Sequence, residues 1–198
     1  MRLAKAIDFT QWQQGGDIVT PEQIAEWQAA GVEKVIIGAG YHDEAVQQIQ
    51  ACADGGLAVE VYRYLFFDRD MVEQIEYALS IAADSGRHIG RLWLDCEDAK
   101  GIPEVSYLEK LIQQAIDAVG DMPVGVYTRE QWWRSYTGNT DRFAHLPLWD
   151  TLYDQTAAMD GFHPYGGWSE AVMKQHAENV ELSGRTVDMN VYWEERKE

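Results

Sequence analysis

Short runs of apolar, β-branched residues alternate along this chain with longer segments in which apolar positions recur every three or four residues. That alternation is the pattern of β/α units built around a parallel sheet. Residues 4–9 read as a first strand. Thr20-Pro21-Glu22-Gln23 then supplies an N-cap threonine, a proline at the first helical position and Gln23 at the third, so a helix opens there and stops at Gly31. Residues 35–37 form a second strand, 43–53 a helix ended by Gly55-Gly56, 57–66 a third strand and 70–83 a third helix. Residues 89–97 read as strand four, 103–119 as a helix beginning at a proline, and 124–128 as strand five. Beyond this point the helical period fades. Residues 129–136 make a short helix, 146–153 a strand, and 172–176 and 187–193 the last two strands, joined without a full helix. The pattern predicts one α/β domain over residues 1–198, an irregular TIM-like β/α barrel whose helices are weak or missing in the C-terminal third. A chain of 198 residues lies near the lower size limit of that architecture.

At 46% hydrophobic and 25% charged residues, the composition is ordinary for a globular protein and argues against disorder or a fibrous repeat. Charge narrows the function classes further. Sixteen Lys and Arg against 33 Asp and Glu leave a net −17, which repels nucleic-acid backbones and anionic membrane surfaces. No apolar run reaches the roughly 20 residues a spanning helix needs. The N-terminus passes straight into Ile7-Asp8-Phe9, leaving no room for an export signal. Cys52 and Cys96 are too few for a disulfide framework and are expected as free thiols. His42, His88, His145, His163 and His176 show no metal-binding spacing, and Gly38-Ala39-Gly40 completes neither a dinucleotide nor a P-loop pattern. Neither metal nor cofactor is therefore expected.

Four carboxylates stand at or near predicted strand ends: Asp8 on the first strand, Asp95 and Glu97 on the fourth, Asp188 on the last. Closing the barrel makes the first and last strands neighbours, so Asp8 and Asp188 should lie side by side, with strand four facing them across the mouth. Asp95 and Glu97 are two residues apart, which points both to one face about 6.6 Å apart and turns Cys96 towards the helices. Barrel enzymes build their sites at strand C-termini, and glycosidases need one carboxylic acid to protonate the leaving oxygen and one carboxylate to handle the cation. A carboxyl crowded by three others resists ionising, which keeps Glu97 protonated and able to act as an acid near neutral pH. Aromatics are dense in the second half, where each can either pack the core or floor a sugar site. Tyr62, Tyr64 and Tyr127 alternate with apolar residues and suit barrel filling or hydroxyls aimed at a pocket.

The stretches Ile7-Asp8-Phe9-Thr10-Gln11-Trp12, Val61-Tyr62-Arg63-Tyr64, Trp93-Leu94-Asp95-Cys96-Glu97, Val126-Tyr127-Thr128, Pro147-Leu148-Trp149 through Tyr153, Gln175 and Val187-Asp188-Met189-Asn190 run almost from end to end of the chain. Together they resemble the family 25 glycoside hydrolases, the Chalaropsis-type lysozymes. The resemblance implies a muramidase that cleaves the β-1,4 bond between N-acetylmuramic acid and N-acetylglucosamine in peptidoglycan, with retention. It implies Glu97 as general acid, Asp95 as helper of the substrate's acetamido group or as nucleophile, and Asp8 and Asp188 as the rest of the acidic site. It turns Tyr62, Tyr64, Tyr127, Trp149 and Gln175 towards the glycan, Trp149 as a ring packed on a sugar face. The expected place of action is the cell wall, reached from a phage or by another release. Two departures stand out. Lys174-Gln175-His176 replaces a usual Trp-Gln-Tyr, removing two aromatics near the cleft, and the charge of Arg63 could offset part of the acidic cluster. An alternative on the same barrel is a non-catalytic glycan-binding or structural module, such as a phage particle component. The sequence assigns no oligomeric state.

Overall fold

A computed structural model describes residues 1–98, 100–102 and 104–194. Eight strands close one barrel in chain order: β1 (Arg2–Phe9), β2 (Val32–Gly38), β3 (Ala58–Tyr64), β4 (Leu92–Asp95), β5 (Val124–Thr128), β6 (Leu148–Thr151), β7 (Met173–Leu182) and β8 (Arg185–Glu194). The helices are α1 (Gln11–Gln14), α2 (Pro21–Ala29), α3 (His42–Asp54), α4 (Met71–Ser85), α5 (Val105–Val119) and α6 (Glu130–Thr137). The reciprocal cap expected for α2 is formed: Gln23 N–H donates to Thr20 Oγ1 at 3.3 Å while Thr20 N–H donates to Gln23 Oε1 at 3.0 Å. Asp70 caps α4 in the same sense, accepting from Glu73 N–H at 3.0 Å. The proline expected to open α5, Pro103, lies outside the described residues. No helix among the described residues is long and apolar enough to cross a membrane.

Strands β1 to β7 run parallel, as the β/α pattern implies, and the irregularity expected on the C-terminal side is a β8 antiparallel to both β7 and β1. The cause is a tight hairpin in place of a crossover. Ser183 and Gly184 both take positive φ, 55° and 75°, the backbone that two-residue hairpin loops require. Both final strands are longer than the 172–176 and 187–193 expected, because their polar halves pair with each other beyond the barrel through two irregularities in register. Strand four is shorter than expected and leaves Glu97 just past its end.

Period-two alternation divides the core into two layers. Outward residues such as Ile7, Val35, Val61, Leu94, Cys96 and Val126 pack under the helices with Ile49, Ile75, Leu108 and Ile112. Inward residues Ala4, Ala6, Ile36, Trp93, Tyr127, Trp149, Met173 and Tyr192 fill the barrel. At its base, Lys34 pairs with Glu60 at 2.7 Å and sits 4.0 Å over the Tyr192 ring, and Trp93 Nε1–H donates to Glu60 Oε2 at 2.6 Å. This plug leaves only the opposite mouth open for a site. Both cysteines are free and buried, and burial pushes the Cys52 thiol up to about 12.

The plug depends on a glycine. Gly125 lies opposite Trp93 in the β4–β5 ladder, and a Cβ there would stand 2.4 Å from the indole ring. Gly125→Ala should therefore force the indole out of place and cost about 1–3 kcal/mol of stability, the usual penalty of overpacking. Denaturant unfolding that returned wild-type stability for this variant would show that the plug can give way freely.

Candidate active site

The inward register that fills the barrel delivers its last members to the open mouth. Asp8 ends the inward row of β1, Asp95 and Glu97 that of β4, Tyr127 and then Arg129 that of β5, and Gln175 belongs to β7. Because β8 runs backwards, Asp188 near its start comes to the same rim, directly opposite Asp8. A hollow of about 450 Å³ lies among these residues, with Tyr153 and Glu178 also on its wall. A second hollow, of about 650 Å³, opens over the loops after β1, β2 and β3 and shares Tyr62, Asp95 and Glu97 with the first.

Two buried amides hold two of the acids. Gln175 Oε1 accepts from the Tyr127 and Tyr153 hydroxyls at 2.8 and 3.0 Å, which turns its Nε2–H groups to Asp8 Oδ1 at 2.9 Å and Asp188 Oδ2 at 3.2 Å. Asn190 Oδ1 accepts from Trp149 Nε1–H at 2.8 Å, so its Nδ2–H donates to Asp8 Oδ1 at 2.7 Å. Asp188 Oδ1 further accepts from Gln13 Nε2–H at 2.9 Å and Asn179 N–H at 2.7 Å. Asp95 is different. It is 3% exposed, and its Oδ1 has no hydrogen-bond partner among the described residues.

All four carboxyls are held above the ordinary range. Burial, then repulsion from Asp188, raises Asp8 from 3.8 to about 8 against the hydrogen bonds from Asn190 and Gln175. Burial is also the first cause for Asp95, followed by the charges of Glu97, Asp8 and Asp98. For Glu97, burial raises the carboxyl, the Arg129 cation opposes it, and Asp188, Glu178 and Asp98 add to the rise. Asp188 is raised by burial, partly offset by the donors from Asn179 and Gln13. The mouth is thus a cluster of acids in which each carboxyl gives up its proton less readily than it would in water.

The structure brings Asp8, Tyr62, Asp95, Glu97, Tyr127, Trp149, Gln175 and Asp188 to the first hollow, while Tyr64 lines only the second. Trp149 needs correction as a free sugar-stacking face. It is 1% exposed, with its N–H spent on Asn190 and its ring edge-on to Tyr62, Trp93 and Tyr127, so it is the floor that carries the site. Arg63 is likewise not the cation of the cluster. It points outward, donating to Ala39 O at 2.7 Å with its guanidinium 5.4 Å from the Tyr77 ring centre. Lys174 and His176 flank Gln175 without lining the hollow, and Lys174 instead donates to Asp154 Oδ2 at 2.7 Å and Asp160 O at 3.1 Å. Sequence reasoning missed Arg129 and Gln13. Arg129 follows inward Tyr127 by two, as Glu97 follows Asp95. Gln13 closes a Thr10-x-x-Gln13 capping box, in which its Oε1 accepts from Thr10 N–H at 2.9 Å. Among the described residues, no group of three or more His, Cys or acidic side chains is placed to hold a metal ion.

The family profile described as Lysozyme-like protein 1 matches residues 24–176, well over half of the chain. The chain belongs to the family 25 lysozyme-like glycoside hydrolases. In Dictyostelium discoideum, Probable GH family 25 lysozyme 3 is 30% identical over 162 residues, 77% of this chain and 33% of that relative. Probable GH family 25 lysozyme 5 of the same organism is 32% identical over 142 residues, 69% of this chain and 65% of the relative. The chain thus spans less than two thirds of either curated relative. A solved structure of a muramidase from Acremonium alcalophilum superposes with a TM-score of 0.77 at 21% identity, covering 97% of this chain and 94% of that one, which shows a shared fold.

Raised carboxyl values in this family 25 barrel carry a stability consequence. A carboxyl raised from 3.8 to about 8 favours folding fully below its unfolded value, and that contribution is lost as pH rises towards 8. Asp8→Asn removes one such group, so its melting temperature should fall less than that of the wild type between pH 5 and pH 8. The gap between the two should change by at least about 2–4 °C, the shift produced by 1 kcal/mol in a domain of this size. Parallel melting curves across this range would show that Asp8 is ionised in the folded protein at pH 5.

Proposed function

We propose that the protein is a muramidase that hydrolyses the β-1,4 bond between N-acetylmuramic acid and N-acetylglucosamine in peptidoglycan strands. One observation carries the reading: beside Glu97, where the two hollows meet, Asp95 keeps a buried oxygen without a partner among the described residues. A buried acceptor left open costs stability and is retained where a ligand completes it. An acetamido N–H on the sugar at the cleavage point supplies the matching donor.

The chemistry follows from the places of the two acids. Glu97, whose carboxyl is raised by burial, gives its proton to the leaving glycosidic oxygen as the bond to C1 breaks. Asp95 lies two residues away on the same strand end rather than across the sugar, so it acts on the acetamido group and not on C1. Holding the N–H, it steadies positive charge while the acetamido carbonyl oxygen forms a bond to C1 from the opposite face. Water then adds to C1, passing a proton to the Glu97 carboxylate while the bond from C1 to the acetamido oxygen breaks. Two inversions give retention. Asp8 and Asp188, already held by Gln175 and Asn190, tune the cluster and shape the wall.

Purified cell walls assayed for new reducing ends test the reading directly. Glu97→Gln should lower the rate by about 10²–10⁴-fold, the usual worth of general acid catalysis. Asp95→Asn should also lose most activity, in the rate constant more than in binding. Binding of walls by the wild type without new reducing ends would favour the non-catalytic module.

Charge neighbours of Glu97 should move the pH profile in opposite senses. Activity needs Glu97 protonated, so it falls as pH rises through the Glu97 value. Asp188→Asn removes a repelling charge and should draw the alkaline limb of kcat/KM to lower pH, whereas Arg129→Gln removes an attracting one and should push it higher, each by about half to one pH unit. Limbs that move in the same direction would assign the alkaline limb to another group.

A further inference from the structure

The two hollows that meet at Asp95 and Glu97 differ in charge. The first is walled by Asp8, Glu178 and Asp188 besides the shared acids, with Arg129 as its cation. The second gathers Arg63, Arg69 and Lys100, with Asp98 as the acid it does not share. This grouping runs against a chain with twice as many acidic as basic residues. Arg69 and Lys100 are exposed, and the Arg69 guanidinium stacks on Phe66 at 4.1 Å, which steadies it without using its donors on a carboxylate. Asp98 does not neutralise Lys100 through the side chain; its Oδ1 accepts from the Lys100 backbone N–H at 3.0 Å. Across the hollow, Trp12 is 75% exposed and meets Tyr41 edge-on at 5.5 Å, forming an aromatic wall open to solvent.

Cations beside an open aromatic wall fit an acidic peptide, whose carboxylates take the guanidinium and ammonium while its methyl and methylene groups lie on the rings. We propose that this hollow receives the carboxylate-bearing peptide carried on the lactyl group of the muramyl sugar, with Arg69 and Lys100 as anion partners and Trp12 and Tyr41 as the apolar wall. The inference rests on the muramidase reading for the identity of the glycan, and it adds a substrate class to it. Because the hollow shares Tyr62, Asp95 and Glu97 with the first, a substituent held there is continuous with a sugar at the proton donor. The anionic substituent would then fix which way the strand lies across Glu97, since the exposed cations Arg69 and Lys100 line only the second of the two hollows.

Binding without turnover tests this, by calorimetry on the Glu97→Gln protein with two soluble probes, the muramyl disaccharide bearing its stem peptide and the same disaccharide without the peptide. The peptide-bearing probe should bind about three- to tenfold more tightly, as two solvent-exposed ion pairs allow. Arg69→Gln with Lys100→Gln should abolish that difference, and Arg69→Lys with Lys100→Arg should restore most of it. The preference should shrink as salt is raised. Equal affinity of the Glu97→Gln protein for both probes would overturn the proposal, as would a double variant that weakens both probes alike. Failure of the muramidase reading appears elsewhere, as absence of new reducing ends from wild-type protein, and leaves the two-probe comparison interpretable.

Discussion

Closure of the barrel by a strand that runs backwards is the constraint on which the site depends. Had β8 been joined to β7 by a crossover helix, its early residues would sit at the base, with Asp188 beside the Lys34–Glu60 plug. The hairpin reverses this. It sets Asp188 opposite Asp8 and puts Asn190 below them, between Asp8 and the Trp149 indole. One turn with two positive-φ residues therefore decides which acids share a pocket.

Bringing four carboxyls into a buried mouth opposes folding when they ionise, and the barrel offsets that opposition unevenly. Asp8 and Asp188 are given amide donors, and those amides are oriented by Tyr127, Tyr153 and Trp149, which have no charge of their own to add. Asp95 is left with an open oxygen. The acids are thus unequally supplied: both amide donors to Asp8 reach its Oδ1, Asp188 accepts on both oxygens, and the open Oδ1 of Asp95 is costly until a donor arrives.

Most of the fold was legible because its signals are local and repeated: the capping box at Thr20 and Gln23, the glycines after helices, the two-residue alternation that put Asp95 and Glu97 on one face. The pairing of Asp8 with Asp188 was legible as well, since it needs only a closed barrel. Strand direction was not, because residues 187–193 read as a strand in either sense and the polar pairing beyond the barrel resembles loop. Roles fixed by three-dimensional neighbours were also hidden. Trp149 sits in a motif at the mouth, yet burial in an interior aromatic cluster makes it a floor. Arg63 and Arg129 are both arginines near strand ends, and only the inward or outward phase of each strand separates the one that faces Tyr77 from the one that acts on Glu97.

The phase argument reaches further than these two arginines. On a barrel strand, an inward residue near the mouth bears on the acid cluster, whereas its outward neighbour meets the helices. Net charge alone therefore says little about what the mouth attracts: −17 describes the whole surface, while the field inside a cleft is set by the few charges that line its low-dielectric walls. Here those charges are sorted, acids towards β8 and cations towards the loops after β3 and β4. On the proposed reading, a strand lying across Asp95 and Glu97 would meet mostly carboxyls on one side and exposed cations on the other. If Glu97 is the proton donor, as proposed, orientation would be selected before the strand reaches it, because charge acts over several ångströms while a hydrogen bond needs contact distance.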